Sequence, residues 1–165
     1  MKKMELYKLD TPNDLDIKDR RKIAEAINPL VANTFALFVK TKNFHWHMTG
    51  PHYRDYHLLL DEQSEQIFSM IDVLAERVRK LGEKTIQSIG QIKELQTIKD
   101  NHEILSAEEM LHQLLKDNED FLKSMRKAHE ICNKGNDFAT TSILEEYIDE
   151  TERRIWFLFE TLQNK

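Results

Sequence analysis

Cysteine, glycine and proline are all scarce in this chain of 165 residues, which holds one Cys, four Gly and three Pro. The lone Cys132 excludes an intrachain disulfide framework and suits a reducing compartment, where its simplest role is a small core residue. Gly and Pro together make up about 4% of the chain against an average near 12%, too few for an all-β protein built on many tight turns. No apolar run approaches the ~18 residues of a membrane span, and Met1-Lys2-Lys3-Met4-Glu5 leads into no apolar leader segment. A cytoplasmic protein with neither membrane anchor nor secretion signal is therefore expected. A basic arm is missing as well. Residues 1–20 set Lys2, Lys3, Lys8, Lys18 and Arg20 against five Asp or Glu, and the chain closes on Gln163-Asn164-Lys165. With a formal net charge of −5, a general nucleic-acid binder is disfavoured. No Gly-rich phosphate loop is present.

What is there is helix. Charged residues at 32% and apolar residues at 40% are arranged at helical spacing, and the length fits one domain, 1–165, with residues 1–16 as a loose arm. The first pattern runs from about Ile17 to His47 through Ile23, Ile27, Leu30, Val31, Leu37, Phe38 and Phe44, with Pro29 expected to kink it or shift its start. The second follows Gly50-Pro51 to about Leu81, with Leu60, Ile67, Ile71, Leu74 and Val78 as its stripe and Gly82 as its C-cap. The third opens on Ser106 and Glu109, spaced as a capping box, and stops near Gly135. The fourth runs from about Asp137 to Leu162 through Ile143, Tyr147, Ile148, Ile155, Leu158 and Phe159. Residues 83–105, between the second and third, carry a short amphipathic piece at Ile86, Ile89, Ile92 and Leu95. Two short connections and one long one predict an all-α, ferritin-like four-helix bundle whose crossover carries a short extra helix between helices 2 and 3.

The chemistry concentrates on the first hairpin. His45 and His57 are equidistant from Pro51, so in an antiparallel hairpin they stand at equal height and face one another. Asp61 follows His57 by four residues and shares its face, as Glu76 follows Asp72. Asp61 and Asp72 point the same way around the helix but lie about 16 Å apart along it. A metal ligand must come within about 2.0–2.6 Å, so one chain cannot bring both ends to one ion. A partner can. The position numbers of His57 and Glu76 add to the same total as those of Asp61 and Asp72, so two copies of this helix packed antiparallel across a dyad near Phe68 set each against its mate. Two identical sites per dimer result. Imidazole with carboxylate suits a redox-active iron better than structural zinc, since hard carboxylates stabilise Fe(III). Other candidates are weaker. Glu109 and His112 form a single Glu-x-x-His where an intra-bundle di-iron site needs two, and capping explains Glu109 better. His47, His52, His102, His112 and His129 are expected at solvated positions.

The stretch Lys40-Thr41-Lys42-Asn43-Phe44-His45-Trp46, then Gly50-Pro51-His52-Tyr53, His57 to Asp61, Asp72-Val73-Leu74-Ala75-Glu76-Arg77, and Asp137 through Trp156 resembles the Dps (DNA-protection-during-starvation) mini-ferritins over essentially the whole chain. The resemblance implies a hollow homo-dodecamer that oxidises Fe(II), often with hydrogen peroxide, and stores the ferric mineral. It implies a ferroxidase site of about two irons, with His45, His57 and Asp61 from one subunit and Asp72 and Glu76 from the other. Trp46 is a candidate electron donor, with packing as the competing role. The alternative is a DNA-compacting structural protein with an incidental iron site. The family's lysine-rich tails are lacking, however, and a dodecamer at −5 per chain would carry about −60, which argues against direct DNA binding. Ser142 stands where the family often has an acidic residue, leaving Asp137, Glu145, Glu146 and Asp149 as candidates for the iron entry pores.

Overall fold

The computed structural model describes residues 9–163 and contains α1 (Ile17–His47), α2 (Tyr53–Lys80), α3 (Ile89–Leu95), α4 (Ala107–Lys134) and α5 (Phe138–Thr161). The four long helices form a ferritin-like four-helix bundle, and α3 rides on the crossover between α2 and α4. α1 packs on α2, α4 and α3, and α5 packs on α4 and α2.

Local chemistry sets the ends. The Asp16 carboxylate caps α1 by accepting the Lys18 N–H at 2.8 Å. At α4 the Ser106 hydroxyl accepts the Glu109 N–H while the Glu109 carboxylate accepts the Ser106 N–H at 2.8 Å, the reciprocal box expected from the spacing. Pro29 removes one rung of the α1 ladder, yet the start is not displaced and the helix runs through it. Buried Ile23 and Ile27 on one side and Leu30 and Leu37 on the other hold it in place. α2 stops where Gly82 turns left-handed at φ +81 and the Glu83 N–H returns to the Val78 carbonyl at 3.2 Å. At the α4–α5 corner the left-handed residue is Asn136, at φ 58. Gly135 serves close packing there, because a Cβ would stand 3.0 Å from Ile23 Cδ1.

The buried stripes follow the expected spacing, with Leu60, Leu74, Phe121, Met125 and Leu158 inaccessible. Phe159 departs from it and is 51% exposed, because Leu158, one position earlier on the helix, takes the inward direction. The crossover is held less by α3, which buries no residue fully, than by Ile98 and by Asn33 Oδ1 on α1, which accepts the Thr97 N–H at 2.7 Å. Of the arm expected over residues 1–16, residues 1–8 lie outside the described residues. Residues 9–16 are fastened to the end of α2, with the Thr11 hydroxyl on the Arg79 carbonyl at 3.0 Å and Arg20 reaching Asp10 at 3.3 Å.

Among the described residues, Lys40 and Arg154 are buried cations. Lys40 on α1 meets Asp117 on α4 at 2.7 Å. Arg154 on α5 gives Nε to Asn118 Oδ1 at 3.0 Å and Nη2 to Thr151 Oγ1 at 2.6 Å, and its Nη1 has no partner among the described residues.

Candidate metal centre

The hairpin brings His45 and His57 together as equal height demands. Their rings stack at 3.7 Å between centroids, 21° apart in plane. Each is locked by the other's backbone: His45 Nδ1 lies 2.8 Å from the His57 carbonyl, and His57 Nδ1 lies 2.9 Å from the His45 carbonyl. A carbonyl oxygen only accepts, so both Nδ1 atoms carry the proton. In the neutral rings both Nε2 atoms then keep a free lone pair, the ligating tautomer, oriented by a backbone oxygen behind it. Phe44 and Met48, both buried, fix the turn of α1 that presents His45.

Asp61 stands beside this pair, with Oδ1 3.7 Å from His45 Nε2. The same oxygen receives the Lys42 ammonium at 2.5 Å. That hydrogen bond first, and then the positive field of Lys42, hold the Asp61 carboxyl below the usual carboxylate range. Lys42 was not singled out from the sequence, although the rule that matched His45 with His57 places it one residue from Asp61's height. Asp72 and Glu76 are not brought to the pair. They lie farther along α2 with exposed side chains, and Glu76 sits 3.7 Å from Lys80. Phe68, between the two groups, is 57% exposed and leans on Phe38 at 5.1 Å. Among the described residues no group of three or more His, Cys, Asp or Glu is placed to hold a metal ion within one chain.

The remaining candidates fall elsewhere. Glu109 is committed to its cap, which holds it below the usual carboxylate range through the Ser106 hydroxyl, and His112 faces Glu108 at 3.8 Å instead. His52 and His102 are exposed, while His129 is half-buried and meets Glu145 at 2.8 Å across α4 and α5. Asp137 is a buried N-cap of α5: it accepts the Thr140 N–H at 3.0 Å and pairs with Arg77 at 3.1 Å. Trp46 is 66% exposed and lines a groove of about 630 Å³ with Val39, Ile89 and Ile104, to which neither His45 nor His57 contributes. Among the described residues the aromatic ring that does touch the pair is Tyr53, one turn before His57, at 5.1 Å between centroids.

A helical bundle with this crossover, and histidine and carboxylate on its first hairpin, defines the ferritin-like class. The model of the ferritin-like domain accordingly matches residues 24–165. Within that class, a DNA protection during starvation protein of Brevibacillus brevis is 31% identical over 136 residues, covering 82% of this chain and 91% of its own. The Dps protein of Vibrio cholerae, described as one of the ferritin-like diiron-carboxylate proteins, superposes with a TM-score of 0.88 at 25% identity, over 93% of this chain and 98% of that one. An uncharacterised low-temperature-induced protein of Nostoc sp. is 37% identical over 84 residues, which span 51% of this chain and only 47% of that relative. The chain belongs to the Dps family of ferritin-like proteins.

Proposed function

We propose that this chain is the subunit of a cytoplasmic cage, a homo-dodecamer, that binds Fe(II), oxidises it with hydrogen peroxide or dioxygen, and stores the ferric product, so protecting the cell from oxidative damage. The observation that carries the reading is the locked histidine pair, in which both Nε2 lone pairs are left free and that of His45 lies 3.7 Å from the Asp61 carboxylate. Two imidazoles and one carboxylate are a fitting donor set for iron but too few to close a site. In this reading the partner subunit supplies Asp72 and Glu76 by the antiparallel register about Phe68, and each completed site holds about two irons. The iron is substrate and cargo. The chain's own contribution is to fix the ligating tautomer, to gather carboxylates that favour the ferric product, and to keep Asp61 ionised through Lys42. Pairing two Fe(II) oxidations with the two-electron reduction of peroxide limits release of hydroxyl radical. The net charge of −5 favours this over DNA compaction.

The test is Asp72→Ala with Glu76→Ala. The particle should assemble while Fe(II) oxidation, followed anaerobically after addition of peroxide, falls to near the buffer rate. Oxidation at the wild-type rate in assembled particles would refute the assignment.

A further inference from the structure

Three rings form a continuous column at the hairpin: His45 on His57 at 3.7 Å, and His57 against Tyr53 at 5.1 Å with a tilt of 31°. Tyr53 is the first residue of α2 and is 45% exposed. Trp46, although adjacent to His45 in sequence, points into the groove beside Val39 and makes no ring contact with either histidine among the described residues. Among the described residues, Tyr53 is therefore the aromatic side chain that is both oxidisable by a single electron and in contact with the pair.

We propose that Tyr53 is an electron donor to this site, acting through His57, when peroxide meets a single Fe(II); the inference rests on the iron-oxidising reading above. Breaking the O–O bond of hydrogen peroxide takes two electrons, and one Fe(II) supplies one. In the proposed step Fe(II) becomes Fe(III), and Tyr53 gives up the second electron with its phenolic proton to become a phenoxyl radical. That proton and one from solvent complete two water molecules, so one Fe(II), one peroxide, one tyrosine and one solvent proton yield one Fe(III), one phenoxyl radical and two waters. A half-loaded site thus disposes of peroxide without releasing hydroxyl radical.

The experiment loads the assembled protein anaerobically with one Fe(II) per site, adds one equivalent of hydrogen peroxide, and freezes the sample for electron paramagnetic resonance. A parallel sample carries a hydroxyl-radical spin trap. A tyrosyl signal is expected, narrowed by ring-deuterated tyrosine. It should be lost in Tyr53→Phe, which keeps the ring contact and removes only the hydroxyl, and should remain in Trp46→Phe. The trapped hydroxyl adduct should rise in Tyr53→Phe. Rapid Fe(III) formation with no tyrosyl signal, a signal that survives Tyr53→Phe, or a tryptophanyl signal lost in Trp46→Phe would overturn the inference and leave the iron-oxidising reading intact. Absence of protein-dependent Fe(III) formation even at two Fe(II) per site would overturn both.

Discussion

Lys40→Ala tests how the half of α1 that carries His45 is held. The Lys40 ammonium and the Asp117 carboxylate meet at 2.7 Å with side-chain exposures of only 7% and 14%, and Lys40 also lies over the Phe44 ring at 5.9 Å. Removing the cation leaves a buried carboxylate without its counter-charge, a loss of about 3–5 kcal/mol. For a domain of this length that corresponds to roughly 6–20 °C in Tm. The pH dependence has a definite sign. Burial already pushes the Asp117 carboxyl above the usual carboxylate range, against the pull of Lys40. The folded chain then binds this proton more tightly than the unfolded chain, so Asp117's contribution declines as pH rises from the unfolded value through the raised folded value. Without Lys40 the folded value rises further, so the penalty should be small in acid and reach its full size near neutrality. Urea unfolding of wild type and variant at matched subunit concentration, from pH 4 to pH 8, reads both the size and the slope. A penalty under ~1 kcal/mol at pH 7, or one independent of pH, would refute the reasoning. The double variant Lys40→Met with Asp117→Leu should recover most of the loss, since an apolar pair of similar volume replaces a buried ion pair at little cost.

Other consequences can be checked singly. Arg154 is buried without a carboxylate partner among the described residues, and burial pushes its guanidinium down to about 10. Arg154→Met with Asn118→Leu should therefore stabilise the chain by about 1–4 kcal/mol in urea unfolding, with Thr151 still satisfied by the Tyr147 carbonyl; destabilisation would contradict this. Burial likewise pushes the Cys132 thiol up to about 12, so alkylation at pH 8 should be negligible in the native protein and reach one thiol per chain in denaturant. Prompt native labelling would show that the α4 end opens. Lys42→Met should release Asp61 from its ammonium partner and raise the affinity for Zn(II), used as a redox-inert probe, roughly severalfold by calorimetry. Unchanged or weaker binding would mean that Lys42 does not compete for this carboxylate.

The bundle was legible because helical periodicity and end signals agree: Gly82 and the Ser106–Glu109 box stand where α2 ends and α4 begins. The face-to-face histidines were legible because a tight hairpin converts sequence distance from Pro51 into height. Other features lay beyond one-dimensional spacing. Arg154 has no apolar or polar periodicity to mark it as buried, and only the surrounding bundle shows that Asn118 and Thr151 receive it. Spacing put Asp137 at a helix start, but did not show that its cap and the Arg77 pair turn it inward. Trp46 and Tyr53 both lie near the histidines in sequence, and their opposite orientations follow from positions on different helices, α1 and α2.

Complementation between subunits tests most directly whether the site is shared. One chain carries His57→Ala with Asp61→Ala, the other Asp72→Ala with Glu76→Ala, and each alone should oxidise Fe(II) near the buffer rate. Co-expressed in equal amounts with distinct tags, random pairing makes about half of the dimers mixed, and each mixed dimer restores one of its two sites, so roughly a quarter of wild-type activity should return. Mixed particles, verified by both tags, that oxidise no faster than the parents would contradict a site built across the dyad.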